Sequence, residues 1–255
     1  MKRHHLSIAL LAGLSLSAAS FTAQADFIGL QIGGGGWKHD PSGDFRYNSG
    51  GSSVSIDLDS DLHLQTQTQG YFYISFEHPV PLLPNVRIMS TKLENSGSGQ
   101  ISQDFTFNNQ TYTASTSVTS TLNLNQTDLT LYWELLDNVV SLDFGLTLKK
   151  ISGEATLVST ALGTSSTTFS QVIPMGYFML GVSPMEGLLI SAETNIIQYS
   201  GSTISDFTAK VSYTTDYFLG IEGGYRKQVY KLNDVSGVFG NMQFSGPFLG
   251  AYLKF

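Results

Sequence analysis

Two adjacent segments of the chain alternate apolar and polar residues without a break. Residues 128–135 place Leu, Leu, Trp and Leu at the odd positions and Asp, Thr, Tyr and Glu at the even ones. Residues 140–149 alternate Val, Leu, Phe, Leu and Leu with Ser, Asp, Gly, Thr and Lys. Because successive side chains of a β-strand point to opposite faces, each segment predicts a strand with one apolar face. Asp137-Asn138 predicts a tight turn between them.

The same alternation recurs in weaker form along most of the sequence. We predict about ten strands, with eight as the alternative if the short segment 206–213 and one other weak segment are not strands. Pro174 is expected at a bulge or an edge position, because proline has no N–H to donate to a sheet. The predicted strands cover residues 27–38, 67–78, 86–93, 128–135, 140–149, 170–181, 187–199, 206–213, 216–230 and 242–255.

The connections between these strands alternate in length. Short turns are predicted at 79–85, 136–138 and 183–187, whereas long polar segments occupy 39–65, 95–121 and 154–168. A soluble β-sandwich would also show alternating strands, but it does not need this regular rhythm. Short periplasmic turns and long outer loops are typical of outer-membrane barrels. The pattern therefore predicts an all-β, closed antiparallel transmembrane β-barrel of about ten strands.

The final strand supports closure of the sheet. Residues 242–255 read MQFSGPFLGAYLKF, with one uniformly apolar face that includes Phe255. An exposed apolar edge strand invites aggregation, and pairing with the first strand of a barrel removes that edge. Similar endings on phenylalanine are typical of outer-membrane barrels, in which the last residue is read by the assembly machinery. Phe255 is therefore the predicted assembly signal.

The first 25 residues predict a secretory signal peptide. Lys2 and Arg3 precede an apolar stretch, and Ala23-Gln24-Ala25 matches a small-residue cleavage site before Asp26. Residues 26–255 would then form one barrel domain. Removing Lys2 and Arg3 leaves 11 of 13 basic residues against 20 acidic ones, a net charge of −9. Such a balance does not suit nucleic acid.

Composition adds two further constraints. Charged residues make up 13% of the chain, against about 25% in typical soluble domains. The chain has no cysteine, which excludes disulfides, thiolate nucleophiles and cysteine-ligated metals. The predicted location is the outer membrane of a Gram-negative bacterium. The expected partners are membrane lipid, lipopolysaccharide, periplasmic chaperones and the barrel assembly machinery.

Three motifs carry a resemblance to a known family. These are DFIGLQIGGGGW at residues 26–37, GYRKQ at 224–228 and GPFLGAYLKF at 246–255. Together they resemble small Gly-Gly-type outer-membrane barrels, with some similarity to OmpW-like proteins. The resemblance implies a barrel and, in the OmpW-like manner, a passive route for small hydrophobic solutes. It implies no catalytic residue.

The inward faces of the predicted strands carry as many acids as bases. Because buried charges must be paired, this balance predicts a salt-bridged lumen that side chains largely fill. A segregated field or a ring of one sign would be more typical of an open channel. The predicted lumen charges are Glu77, Arg87, Glu134, Asp143, Lys149, Glu193, Lys210, Glu222 and Arg226, with Lys254 as a tenth inward charge.

Two polar groups in the long segments are candidates for other chemistry. Asp57, Asp59 and Asp61 alternate along an outer segment and could offer oxygen ligands to a hard cation such as Ca²⁺. The alternative is an acidic loop above the lipopolysaccharide. His39-Asp40 and Asp61/His63 could form a water-activating set, but nothing in their spacing selects that arrangement. The histidines are therefore expected to be loop residues in solvent.

These patterns favour a barrel without enzymatic activity, catalytic residues, cofactor or firm metal site. A structural or surface-interaction role with a closed lumen is the first hypothesis. Passive passage of small, hydrophobic solutes is the second. A barrel hydrolase is the third.

Overall fold

The computed structural model describes residues 28–47, 54–80, 82–235 and 238–255. The predicted signal peptide and its cleavage site lie outside the described residues. No helix in the described ranges is long and apolar enough to cross a membrane. The strands are β1 Gly29–Tyr47, β2 Ile56–Asp57, β3 Gln67–Glu77, β4 Asn85–Thr91, β5 Glu94–Gln100, β6 Phe105–Phe107, β7 Gln110–Tyr112, β8 Ser117–Asp137, β9 Val140–Ser159, β10 Gly163–Met185, β11 Leu188–Tyr199, β12 Ser202–Thr214, β13 Leu219–Val235 and β14 Val238–Lys254.

Ten of the described strands close into one ring. Each pairs antiparallel with its neighbours in the order β1, β3, β4, β8, β9, β10, β11, β12, β13 and β14. β14 then pairs with β1, from Gln31↔Lys254 to Tyr47↔Val238. β5 extends the pairing on β8, and β6 with β7 forms a separate small hairpin. The predicted barrel of about ten strands is confirmed.

The two faces of the ring have opposite chemistry. On β9, Leu146 and Leu148 are 61% and 45% exposed, whereas Thr147 and Lys149 are 0% and 1% exposed. In a bilayer every backbone polar group must be paired within the protein, and a closed barrel achieves this. Apolar side chains outside and polar side chains inside therefore match a barrel that spans a membrane.

Close strand approach explains the glycine run of β1. A Cβ on Gly35 would lie 2.2 Å from the backbone oxygen of Leu249 on β14. A Cβ on Gly33 would lie 2.6 Å from the ring of Tyr73. The missing side chains leave room for the β1–β14 seam and for the aromatic rings that fill the lumen.

The strands are longer than the sequence pattern predicts. β9 and β10 pair from Val140↔Val182 to Ser159↔Gly163, so the predicted loop 154–168 is the end of a long hairpin. β1 continues to Tyr47, and β8 begins at Ser117. Beyond the lipid the strands can carry Ser and Thr on both faces, which removes the apolar alternation although the backbone pairing continues.

The structure also decides two less strongly supported predictions, the strand at 206–213 and the position of Pro174. The segment 206–213 is a full wall strand, since β12 pairs with β11 and β13 along most of its length. The eight-strand alternative is therefore wrong. Pro174 pairs with Leu148 on β9, whereas the ladder between β10 and β11 begins at Gly176. Pro174 thus lies where β10 is paired on one side only, an edge position of the kind in which sheets accept proline.

Candidate functional site: the barrel lumen

A buried ion network crosses the middle of the lumen. Lys149 Nζ lies 2.7 Å from Asp128 Oδ2 and 3.1 Å from Asp206 Oδ2. Arg226 donates from Nε and Nη2 to the two Asp206 oxygens, at 2.9 and 2.7 Å. All four residues are more than nine-tenths buried. We call Asp128, Lys149, Asp206 and Arg226 the central ion network. Because β9 and β12 are separated by two strands of the ring, the network bridges across the barrel instead of along one wall.

Neutral polar side chains add hydrogen bonds to this network, whereas Asp128 Oδ1 has no hydrogen-bond partner among the described residues. Gln126 accepts from Lys149 Nζ at 2.7 Å and donates to Gln228 Oε1 at 2.6 Å. Gln228 in turn donates to Asp206 at 3.0 Å, and Arg226 donates to Thr91 at 3.1 Å. Bonds of this kind are needed because a buried charge without partners is costly. The middle of the lumen is therefore filled by a connected polar layer.

Two further ion pairs lie closer to the short turns. Arg87 Nη1 is 2.9 Å from Glu193 Oε2, and Lys210 Nζ is 3.3 Å from Glu222 Oε2. We call these the turn-side ion pairs. Glu222 also accepts from the hydroxyls of two inward tyrosines, at 2.8 and 3.2 Å. Those tyrosines are Tyr71 and Tyr73 of β3.

The ion pairs differ from the predicted lumen network in two ways. Glu77, Glu134 and Asp143 make no ion pair with described residues, and Glu134 and Lys254 are exposed at the strand ends. Conversely, Asp128 and Asp206 supply the anions of the central ion network, although the predicted set does not include them. The alternation along the strands does indicate both residues as inward. Asp128 lies two positions before the inward Thr130 on β8, and Asp206 lies two positions before the inward Thr208 on β12.

An apolar plug fills the lumen on the side of the long loops. The segment 54–66 pairs through β2 with the far end of β1 and buries Leu58, Leu62 and Leu64, with exposed fractions of 0%, 7% and 3%. They belong to one buried cluster with Trp37 of β1 and Phe244 of β14. The Trp37 indole N–H donates to the backbone oxygen of Gly246, 3.1 Å away. We call these three leucines the apolar plug.

Asp57 and Asp61, two of the candidate metal ligands, instead accept hydrogen bonds within the turn that carries the apolar plug. Asp57 accepts from the backbone N–H of Asp59 and Ser60, at 2.9 and 2.8 Å, and the bond from Ser60 lowers the pKa of Asp57. Asp61 is buried and accepts from the Asp57 N–H at 2.9 Å and from the Ser102 hydroxyl. Asp59 is exposed. The described residues contain no group of three side chains arranged to hold a metal.

The two candidate histidines, His39 and His63, lie in different environments. His39 is fully buried beside Trp37, with ring centroids 4.9 Å apart, and neither ring nitrogen has a hydrogen-bond partner among the described residues. The prediction of a solvent-exposed loop histidine is wrong for His39, because β1 extends past it. His63 bonds to the backbone oxygen of Gln100 at 2.9 Å, and Asp40 accepts from Thr66. No hydrogen bond joins His39, Asp40, Asp61 and His63 in the described part of the chain.

Phe255 closes the seam. Its N–H donates to Leu30 O at 2.8 Å, and its own oxygen accepts from Leu30 N at 3.1 Å. Its ring stacks on Phe218, with centroids 6.0 Å apart.

Leu58→Asp is expected to expel the apolar plug, because it places a carboxylate at a 0% exposed position within an apolar cluster. Added protease should then cut within residues 54–66 on intact outer-membrane vesicles, where the wild type resists. Asp59→Asn, at the exposed neighbouring residue, is the matched control and should stay resistant. Equal resistance of the Leu58→Asp and control variants would contradict the buried position of the plug.

Comparison with known proteins returns barrels of low similarity. The outer-membrane protease OmpT of Escherichia coli is 12% identical with a TM-score of 0.49, covering 91% of this chain and 98% of that chain. Ail, the attachment invasion locus protein of Yersinia pestis, is 10% identical with a TM-score of 0.40, covering 90% and 99%. The outer-membrane protein OprG of Pseudomonas aeruginosa is 10% identical with a TM-score of 0.33, covering 90% and 96%. No family model and no curated protein sequence matches the chain.

The ring, its apolar exterior and its charged interior define the class of protein. It is a ten-stranded transmembrane β-barrel of the outer-membrane type.

Proposed function

We propose that the protein is a closed outer-membrane barrel with a structural or surface-interaction role. The observation that carries this proposal is the double obstruction of the lumen. The central ion network crosses it at mid-height, and the apolar plug fills it towards the long loops. A ten-stranded ring is also narrow, nearer to barrels filled by side chains than to porins with an aqueous channel.

Planar-bilayer recording tests the closed lumen. The purified barrel should show no stable open-channel current under conditions in which a general porin, added as a positive standard, conducts. A variant that combines Leu58→Asp with Asp206→Asn should show current, because both obstructions are then weakened. Stable porin-like conductance of the wild type would overturn the proposal.

A second function is passive passage of small hydrophobic solutes in the OmpW-like manner. It is favoured by the aromatic lining of the lumen near the short turns, where Tyr132 and Tyr177 lie 5.9 Å apart between ring centroids and Tyr71 and Phe248 lie equally close. The test is uptake of a small apolar solute into proteoliposomes. Uptake by the wild type that falls when these aromatic rings are replaced would favour this function. It would also require both the apolar plug and the central ion network to move.

We infer that the protein is not an enzyme. The separate environments of His39 and His63 support this inference, since a general base must lie within hydrogen-bond reach of the group it activates. A peptidase or lipase activity that disappears in His39→Ala or His63→Ala would contradict it.

The remaining parts of the proposal concern targeting and assembly. We infer cleavage between Ala25 and Asp26, which N-terminal sequencing of the purified protein tests. Lipid and lipopolysaccharide are the proposed surroundings. Phe255, paired with Leu30 at the seam, is the proposed signal to chaperones and the assembly machinery. Phe255→Ala should slow assembly in cells while leaving detergent refolding unchanged.

A further inference from the structure

A cavity of about 140 Å³ lies in the half of the lumen nearest the short turns. Glu77, Asp143 and Leu189, which line it, stand close to the turn-side ends of β3, β9 and β11. An apolar cavity of roughly 150 Å³ in another protein holds a benzene molecule. The space therefore suits a ligand of about five to eight non-hydrogen atoms.

The charges around this cavity do not cancel. Its lining carries four acids and three bases, namely Glu77, Asp143, Glu193 and Glu222 with Arg87, Lys210 and Arg226. The turn-side ion pairs account for two acids and two bases. Arg226 is committed to Asp206 of the central ion network. Two carboxylates, Glu77 and Asp143, are left without an ion pair among the described residues.

Asp143 is the more unusual of the two carboxylates. Its side chain is 4% exposed and lines the cavity, yet it makes no hydrogen bond or ion pair with any described residue. Glu77 accepts one hydrogen bond, from the Tyr132 hydroxyl at 2.8 Å. Neither Asp143 oxygen is among the fully enclosed atoms that lack a partner, so the carboxylate faces the open space of the cavity, where a cationic ligand would pair with it.

The remaining lining favours an organic cation over a metal ion. The described residues provide no cluster of three side chains that could ligate a metal. Tyrosine rings and two methionines, Met89 and Met179, instead offer apolar and π surface. The guanidinium of Arg87 already lies 5.2 Å from the Tyr177 ring centroid, so a cation over an aromatic ring is compatible with this lumen.

We propose that this cavity is a binding site for a small organic ammonium ion that enters from the side of the short turns. The charged head contacts Asp143 and the free oxygen of Glu77, and the apolar body contacts the tyrosines. Glu134, exposed at the same barrel end, adds negative charge that attracts cations to the entrance. This inference goes beyond the proposed function, because a closed barrel can still bind a ligand from one side.

Calorimetric titration of the purified, detergent-solubilised barrel tests the site. The probes are n-butylammonium, neutral 1-butanol and anionic butyrate, which share one chain length and differ in charge. Butylammonium should bind at least about tenfold more tightly than 1-butanol, and butyrate should not bind, because a charge-assisted hydrogen bond is worth about tenfold or more in affinity. Equal affinities for butylammonium and 1-butanol, or no binding of butylammonium, would overturn the proposal. This outcome is measured on the wild-type protein alone.

Two isosteric variants locate the site. Asp143→Asn should lose about tenfold or more of the butylammonium affinity while 1-butanol binding stays unchanged. Asp216→Asn removes the same charge from the exposed β12–β13 turn at the same barrel end and should bind as the wild type does. Retention of the native, heat-modifiable gel mobility verifies that both variants fold. If folded Asp143→Asn binds butylammonium as tightly as the wild type does, the assignment of the site to Asp143 is wrong. This result is independent of the conductance measurement that tests the closed lumen.

Discussion

Leu146→Arg is expected to prevent stable insertion of the barrel. Leu146 lies in the middle of the apolar outward row of β9 and is 61% exposed on the face that meets lipid. A cation at the bilayer midplane of a barrel costs roughly 2–4 kcal/mol. The measurement is the free energy of unfolding in urea after refolding into lipid vesicles, with heat-modifiable gel mobility as the sign of the folded state.

The matched control carries the same change beyond the lipid. Thr168 lies on the projecting part of β10, where both faces are exposed. Thr168→Arg should therefore leave the free energy of unfolding unchanged. The sequence pattern predicts that Thr147→Arg, on the inward face of the same strand, is better tolerated than Leu146→Arg. Thr147 is fully buried and its hydroxyl lies 2.9 Å from that of Thr130, so the exposed Thr168 is the cleaner control. Equal stability of Leu146→Arg and Thr168→Arg would contradict the assigned outer face.

Asp206→Asn is expected to destabilise the folded barrel by about 3–5 kcal/mol, the usual cost of removing one partner from a buried ion pair. Asp206 contacts both Lys149 and Arg226, so its loss leaves two buried cations facing one remaining anion. Urea unfolding measures the change.

A double-mutant cycle separates this effect from simple loss of packing. Lys149→Met removes the excess cation, so the pair Asp206→Asn with Lys149→Met should be less destabilised than the sum of the single variants. Asp216→Asn, in the exposed turn, is the control for charge and should fall within about 0.5 kcal/mol of the wild type. Strict additivity of the two lumen substitutions would contradict a shared network.

The wall of the barrel is the part that the sequence predicts well. The alternation of apolar and polar residues can be seen from local sequence alone. Residues 128–135 and 140–149 therefore identify both strands, the turn between them and the face that meets lipid. Lipid makes that parity strict, since a polar side chain on the outer face is costly at mid-bilayer. Beyond the lipid the constraint disappears, and the predicted loop 154–168 is strand instead.

The filling of the lumen is harder to predict. Which charges meet depends on the curvature of a closed ring, and Lys149 bonds to Asp206 across two intervening strands. His39 was expected in solvent because the end of β1 carries no apolar alternation. The apolar plug was missed because its leucines stand among polar residues, although three leucines within seven positions, from 58 to 64, were a visible signal.

The seam between the first and last wall strands has a consequence for the order of assembly. Trp37 and Gly246 are joined by a hydrogen bond although 209 positions separate them along the chain. Phe244, two residues before Gly246, belongs with Trp37 and Leu58 to one buried cluster, so the two ends of the chain supply one apolar surface. During synthesis and transit this surface does not yet exist, because its two halves are far apart in the polypeptide. We therefore expect Leu58, Leu62 and Leu64 to reach their buried positions only when β1 and β14 pair.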